Sequence, residues 1–296
     1  MSEHPVKGVI AAVPTPFSAS REIDADAFVE HCRWCLDNGC DALNVLGTTG
    51  EANSLSFTQR SFVMEIAASS LDADRLMVGT GTPDLATTVA LTRRASELRY
   101  AAALVLPPFY YKPVPEDGLF AWFGELVGQT QARPIDLYLY NFPQLTGIEF
   151  SPALTARLQS AFPDRIRGAK DSSGNLDYAR QLATIPGFAV FPSNEVSLAD
   201  AGRDNYAGCI SATVNIDPAS AAALWRNQSD TALQENVRAL RQGVAVYPLV
   251  AAVKHLVGRR TGNPVWNSVA APNMAIGDGD ALAGLDAIAG RLVHPA

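Results

Sequence analysis

Three stretches decide the architecture: IDLYLY at 135–140, SPALTARLQSAF at 151–162 and IRGAK at 166–170. Ile135 to Tyr140 is short and mostly apolar, the length of a buried strand. Ser151 caps a helix that opens on Pro152, where the missing N–H costs nothing, and the amphipathic run continues to Phe162. Ile166 to Ala169 is a second short strand, and Lys170 stands at its end. Two strands joined through a helix lie parallel, because a crossover of that length returns the chain to the same edge.

The same unit recurs on both sides. Further strand-length runs are Val9 to Val13, Ala42 to Leu46, Leu76 to Gly79, Ala102 to Leu106, Phe188 to Phe191 and Cys209 to Ala212. Between them lie amphipathic stretches from Asp24, Ser56, Asp84, Pro115, Leu176, Glu195 and Pro218. Eight strand–helix units predict a (β/α)8 TIM barrel over residues 1–227. An open doubly wound sheet has the same periodicity and is the alternative. From residue 228 to 296 the pattern is helical only. Thr231 to Val257 should break at Pro248, and a last helix is expected near Ala281 to Leu292. This reads as a C-terminal helical appendage.

Composition narrows the function. Of 296 residues, 48% are hydrophobic and 18% charged, with a net charge of −7. That excess of acid disfavours nucleic acid or an anionic membrane as partner. Met1 to Pro5 lacks a secretory pattern, and the longest apolar run, Val244 to Val257, is interrupted by Pro248, Lys254 and His255. Four cysteines are present. Cys32 and Cys35 have redox spacing but fall mid-helix on an apolar face, so they read as core thiols of a reducing, cytoplasmic compartment. No histidine stands at metal-ligand spacing from them, so no metal is expected.

In a parallel barrel, function gathers at the C-terminal ends of the strands. Lys170 is there. Burial disfavours the ammonium form of a lysine, and a neutral amine condenses with carbonyls; the alternative is a side chain that snorkels to water. Gly47-Thr48-Thr49-Gly50-Glu51 follows the second strand, where backbone N–H groups and hydroxyls suit a carboxylate or simply cap a turn. Alternation puts Tyr138 and Tyr140 on one side of the fifth strand, where a phenol near the lysine would relay protons. A carboxylate cradle, a phenol and an amine together suit an aldolase acting on 2-oxo acids.

These residues resemble the dihydrodipicolinate synthase / N-acetylneuraminate lyase family of Schiff-base aldolases. The likeness covers almost the whole chain: GVIAAVPTPF at 8–17, GTTGE at 47–51, PPFYY at 107–111, YNFPQLTG at 140–147, GAKDSSG at 168–174, GCISATVN at 208–215, and Val253-Lys254. The resemblance implies that Lys170 forms an imine with pyruvate or another 2-oxo acid, with Tyr140 as the acid/base beside it. It implies that Thr48 links Tyr140 to a tyrosine from a neighbouring subunit, a position matched by Tyr110, within a homotetramer. Gly47 and Thr49 would hold the substrate carboxylate, and the Ile210 carbonyl would face the substrate. Asn141 and Pro143 would keep the turn's shape. No cofactor is implied, because the imine is itself the electron sink.

Two departures bear on substrate. Synthases of the family place an arginine at the position of Leu145 to hold a second carboxylate, and leucine cannot replace that contact. Asn194 and Glu195 follow the seventh strand, where sialic acid lyases present acids to sugar hydroxyls; Glu195 capping the next helix is the competing reading. The region Trp266 to Pro272 also departs from the family's pattern. The expectation is a lyase that cleaves a 2-oxo-3-deoxy sugar acid or a 4-hydroxy-2-oxo acid to pyruvate and an aldehyde. A sugar-acid dehydratase, a dihydrodipicolinate synthase and a non-catalytic oxo-acid binder are the alternatives.

Overall fold

The computed structural model describes residues 6–290. Eight strands form a single parallel sheet: β1 Gly8–Ala12, β2 Ala42–Val45, β3 Leu76–Gly79, β4 Ala102–Val105, β5 Asp136–Asn141, β6 Ile166–Asp171, β7 Ala189–Pro192 and β8 Gly208–Ser211. Each strand neighbours the next in sequence, and β8 returns to β1 with Ile10 opposite Ile210. At the remaining seam the Ala207 N–H donates to the Val190 carbonyl at 2.9 Å. The sheet is a nearly closed barrel, and the open-sheet alternative falls.

Alternation along the strands builds two cores. Ile10, Met77, Leu104, Tyr138, Phe191 and Ile210 fill the inside. Val9, Val45, Val78, Leu139 and Val190 face outward onto the helices. Gly168 is required by this interior: a Cβ there would collide with the Ala189 carbonyl oxygen and the ring of Tyr138. The glycine gives the Tyr138 ring its place beside β6.

The outer ring comprises α1 Ala25–Asp37, α2 Phe57–Ser70, α3 Leu85–Glu97, α4 Glu116–Gln129, a four-residue turn α5 Pro143–Thr146, α6 Pro152–Ala161, α7 Leu176–Ala183, α8 Ala201–Asp204 and α9 Pro218–Arg226. Side chains of Asp24, Ser56, Asp84 and Ser151 each accept a backbone N–H in the first turn of the helix they precede. The helix expected from Glu195 is instead a 3₁₀ segment, Glu195–Asp200, running into α8. Its geometry follows from Asn194, whose side chain accepts from the Val196 N–H while its carbonyl accepts from Ser197.

The appendage follows as α10 Thr231–Ala245, α11 Leu249–Thr261 and α12 Gly279–Ala289. Pro248 separates α10 from α11, as its missing N–H requires. The last helix starts earlier than expected, capped by Asp278, and residues 291–292 of that expectation lie outside the described residues. Val244, Val253, Leu256, Trp266 and Leu285 form a third core joining these helices to Ala212 and Ile216 of the barrel. Among the described residues no helix is long and apolar enough to cross a membrane.

Candidate active site

The β5–β6 register sets Tyr140 directly beside Lys170. Both point into the barrel, since Leu139 and Ala169 between their neighbours pack outward. Lys170 Nζ lies 3.3 Å from Tyr140 Oη and 4.6 Å from the ring centroid. Tyr140 Oη is 3.0 Å from Thr48 Oγ1. Lysine and phenol are 4% and 3% exposed and almost withdrawn from water, while Thr48 is half-buried.

The acid next in sequence does not neutralise the lysine. Asp171 turns the other way, accepting from Asn141 Nδ2 at 2.8 Å and from the Ser173 N–H and hydroxyl at 3.0 and 2.9 Å. Burial raises its pKa and those bonds oppose the rise. Asn141 Oδ1 in turn accepts the Phe150 N–H, so the two side chains clamp the ends of β5 and β6. Among the described residues no carboxylate lies within ion-pair distance of Lys170 Nζ.

The loop after β2 is bracketed by Leu46 and Glu51, both left-handed at φ 55° and 56°. Non-glycine residues adopt that region only when neighbours hold them there. Here Thr15 donates to the Gly50 carbonyl, and the Glu51 carboxylate accepts from Lys254 at 2.7 Å and from the Ala270 N–H at 2.6 Å. The N–H groups of Thr48 and Thr49 find no acceptor among the described residues, which leaves them free for an anion.

A cavity of about 450 Å³ opens over these groups. Thr48, Thr49, Tyr140, Lys170, Ile210 and Leu145 line it, so most of the residues singled out in the sequence converge there. Ser172, Ser193 and Asn273 add polar groups that had been given no role, and Arg241 adds a cation from α10. Leu145 is 61% exposed at the rim.

Two expectations meet a different placement. Glu195 is buried and its oxygens accept from the hydroxyls of Ser211, at 2.5 Å, and Thr213. Those bonds engage the carboxylate within the protein rather than offering it to a sugar. Asn194 caps the 3₁₀ segment and does not line the cavity. Tyr110, expected to act in the site of a neighbouring subunit, is 74% exposed, its ring edge-on to Tyr111 at 5.2 Å. Cys32 and Cys35 are buried free thiols, and burial pushes the Cys32 thiol up, away from the reactive thiolate. Among the described residues no group of three or more His, Cys, Asp or Glu side chains is placed to hold a metal ion.

Residues 5–276 match the Dihydrodipicolinate synthetase family. The chain belongs to that family. An uncharacterized DapA-like lyase of Chloroflexus aurantiacus is 32% identical over 74% of each chain. The crystal structure of dihydrodipicolinate synthase from Agrobacterium tumefaciens superposes with a TM-score of 0.90 at 30% identity, covering 97% of this chain and 99% of that one. YagE, a prophage protein of the dihydrodipicolinic acid synthase family from E. coli K12 crystallised with pyruvate, superposes at 0.85 with 25% identity, covering 95% and 97%. Family membership makes this chain an enzyme, a lyase of the Schiff-base-forming aldolase type.

Proposed function

We propose that the protein cleaves a 2-oxo-3-deoxy sugar acid, or a related 4-hydroxy-2-oxo acid, to pyruvate and an aldehyde through an imine on Lys170. The observation that carries this reading is the contact at 3.3 Å between a phenol and a buried lysine that has no carboxylate partner among the described residues. The amine attacks C2 of the 2-oxo acid, and the carbinolamine loses water with protons moved by Tyr140. The resulting iminium draws electrons from the C3–C4 bond. Tyr140 takes the proton from the C4 hydroxyl, the bond breaks, and the aldehyde departs. The enamine left on Lys170 takes a proton at C3, and water releases pyruvate. Thr48 holds the phenol for these transfers, and Thr49 with its neighbouring N–H groups holds the C1 carboxylate.

Borohydride reduction in the presence of pyruvate tests the imine. Mass added irreversibly at Lys170, with loss of activity, is expected; label on another lysine sinks the mechanism and no label favours a non-catalytic binder. Product identification by NMR over a panel of 2-oxo-3-deoxy acids separates cleavage from dehydration. Preferred condensation of pyruvate with aspartate semialdehyde restores the biosynthetic alternative.

Assembly belongs to the same proposal. Tyr110 and Tyr111 are 74% and 77% exposed, a large aromatic area to leave in water. In a homo-oligomer Tyr110 would approach Thr48 of a neighbouring site. Sedimentation at assay concentration should find an oligomer, most simply a tetramer, and a fully active monomer refutes the shared site.

A further inference from the structure

Leu145 leaves the β5 side of the cavity without a cation, yet a cation enters from the opposite direction. Arg241, on α10, lines the same cavity as Lys170 and Tyr140. Apart from Lys170 it is the only charged residue among the described residues of that lining. Its one hydrogen bond among the described residues runs from Nη1 to Thr213 Oγ1 at 3.3 Å. Glu195 binds the same hydroxyl but does not come within ion-pair distance of the guanidinium. A half-buried guanidinium has several donors in a fixed fork, and here most have no partner among the described residues. The group that completes such a fork is a carboxylate or phosphate.

We propose that Arg241 binds an acidic group at the end of the substrate remote from the ketone, so that the preferred 2-oxo acid carries a second anion. The proposal rests on the imine reading for the orientation of the substrate: Lys170 and Thr49 hold the oxo-acid end, and Arg241 receives the other. It redirects the inference from Leu145. The second anion is not lost with the missing arginine of α5; its anchor moves to α10. Thr213, held by Glu195, fixes the guanidinium, which gives the buried Glu195 a positioning part rather than a direct one.

Calorimetry on the full chain compares 2-oxoglutarate with 2-oxopentanoate, which differ only in the far carboxylate. The wild type should bind 2-oxoglutarate about 10- to 100-fold more tightly, the worth of charge-assisted hydrogen bonds. Arg241→Gln should erase that preference while leaving 2-oxopentanoate unchanged, and Arg241→Lys should restore part of it. Equal affinities in the wild type, or equal losses for both ligands in Arg241→Gln, overturn the proposal and leave Arg241 a prop for Thr213. Condensation of pyruvate with glyoxylate against acetaldehyde, and with glyceraldehyde 3-phosphate against glyceraldehyde, tells a carboxylate from a phosphate. Pyruvate trapping at Lys170 should be the same in wild type and Arg241→Gln. Failed trapping in the wild type alongside an intact 2-oxoglutarate preference would remove the imine and keep the anion site.

Discussion

Two lysines are buried in this protein, and they are treated in opposite ways. Lys254, on α11, is fully inaccessible and meets Glu51 at 2.7 Å, with the Phe17 ring beneath it at 4.3 Å. Burial lowers its pKa and Glu51 opposes that shift. Lys170, at the end of β6, is nearly as buried and faces a phenol in place of a carboxylate. An amine with a carboxylate partner is held as a cation and joins two parts of a fold. An amine without one is, in the proposed reaction, the group that attacks the carbonyl. On the proposed mechanism, the carboxylate, rather than the burial, separates a structural lysine from a reactive one.

The largest effect should come from exchanging these treatments. Lys170→Met should abolish turnover and borohydride trapping while leaving the unfolding transition in place, since no ion pair is broken. Lys254→Met should do the reverse, removing one partner of a buried pair and leaving Glu51 uncompensated at a cost of about 3–5 kcal/mol. Chemical denaturation would measure that loss, and Glu51→Gln combined with Lys254→Met should recover part of it. If Lys254→Met instead abolished trapping at unchanged stability, the division between the two lysines would collapse.

Glu51 also ties the tail over the cavity. Its carboxylate accepts from the Ala270 N–H, and from Asn273 at 3.3 Å, and Asn273 lines the site. Glu51→Gln is therefore expected to raise KM more than it lowers kcat. A fall in kcat alone would mean that the tail does not shape the substrate site.

The lysine proposed to form the imine was legible because local rules place it. The strand before it, the glycine two residues earlier and the β5 alternation that carries Tyr140 all act over short stretches of chain. The β2 loop was legible for the same reason. Closure of the barrel, by contrast, depends on Gly8 meeting Gly208 across most of the sequence, and periodicity carries no such information. Arg241 was missed because α10 shows only an apolar stripe of Val237, Leu240 and Val244; nothing local says that the neighbouring face meets the barrel mouth. Glu195 was misplaced because its partners, Ser211 and Thr213, come from the next strand unit and draw it inward. The pairing of Lys254 with Glu51, 203 residues apart, was equally beyond local reading.

A smaller effect sharpens the reactive side. Tyr140→Phe keeps the ring under the amine and removes the hydroxyl. Turnover should fall by about 10²-fold or more, as for a lost acid/base group. Thr48→Val, which removes only the hydroxyl's partner, should cost less. Burst kinetics that show unchanged imine formation in Tyr140→Phe would confine the phenol to the later steps, and wild-type turnover would leave Lys170 as the only chemical group at the contact.

The smallest expected effect tests whether the appendage joint also relies on a neutral group in place of an ion pair. His31 on α1 is fully buried, with Arg260 of α11 donating to its Nδ1 at 2.9 Å. Nε2 must then carry the proton, donating to Asn215 Oδ1 at 2.9 Å, while the Asn215 amide donates to the Ala12 and Ala212 carbonyls. Burial lowers the imidazole pKa from 6.5 to about 3; the Asn215 bond opposes this, Arg260 adds to it, and Glu30 opposes it weakly. A folded-state pKa below the unfolded one means that the unfolded chain takes the proton first as pH drops. The stability is complete above pH 6.5 and is lost progressively between 6.5 and about 3. At pH 5 the loss from this residue should be about 2 kcal/mol. The measurement is the difference in unfolding free energy between wild type and His31→Gln across pH. It should be flat above 6.5 and shift below it against the wild type. A difference that stays constant down to pH 5 would mean that His31 accepts its proton inside the fold. The joint would then hold two adjacent cations, and the neutral partner seen at Lys170 would have no counterpart there.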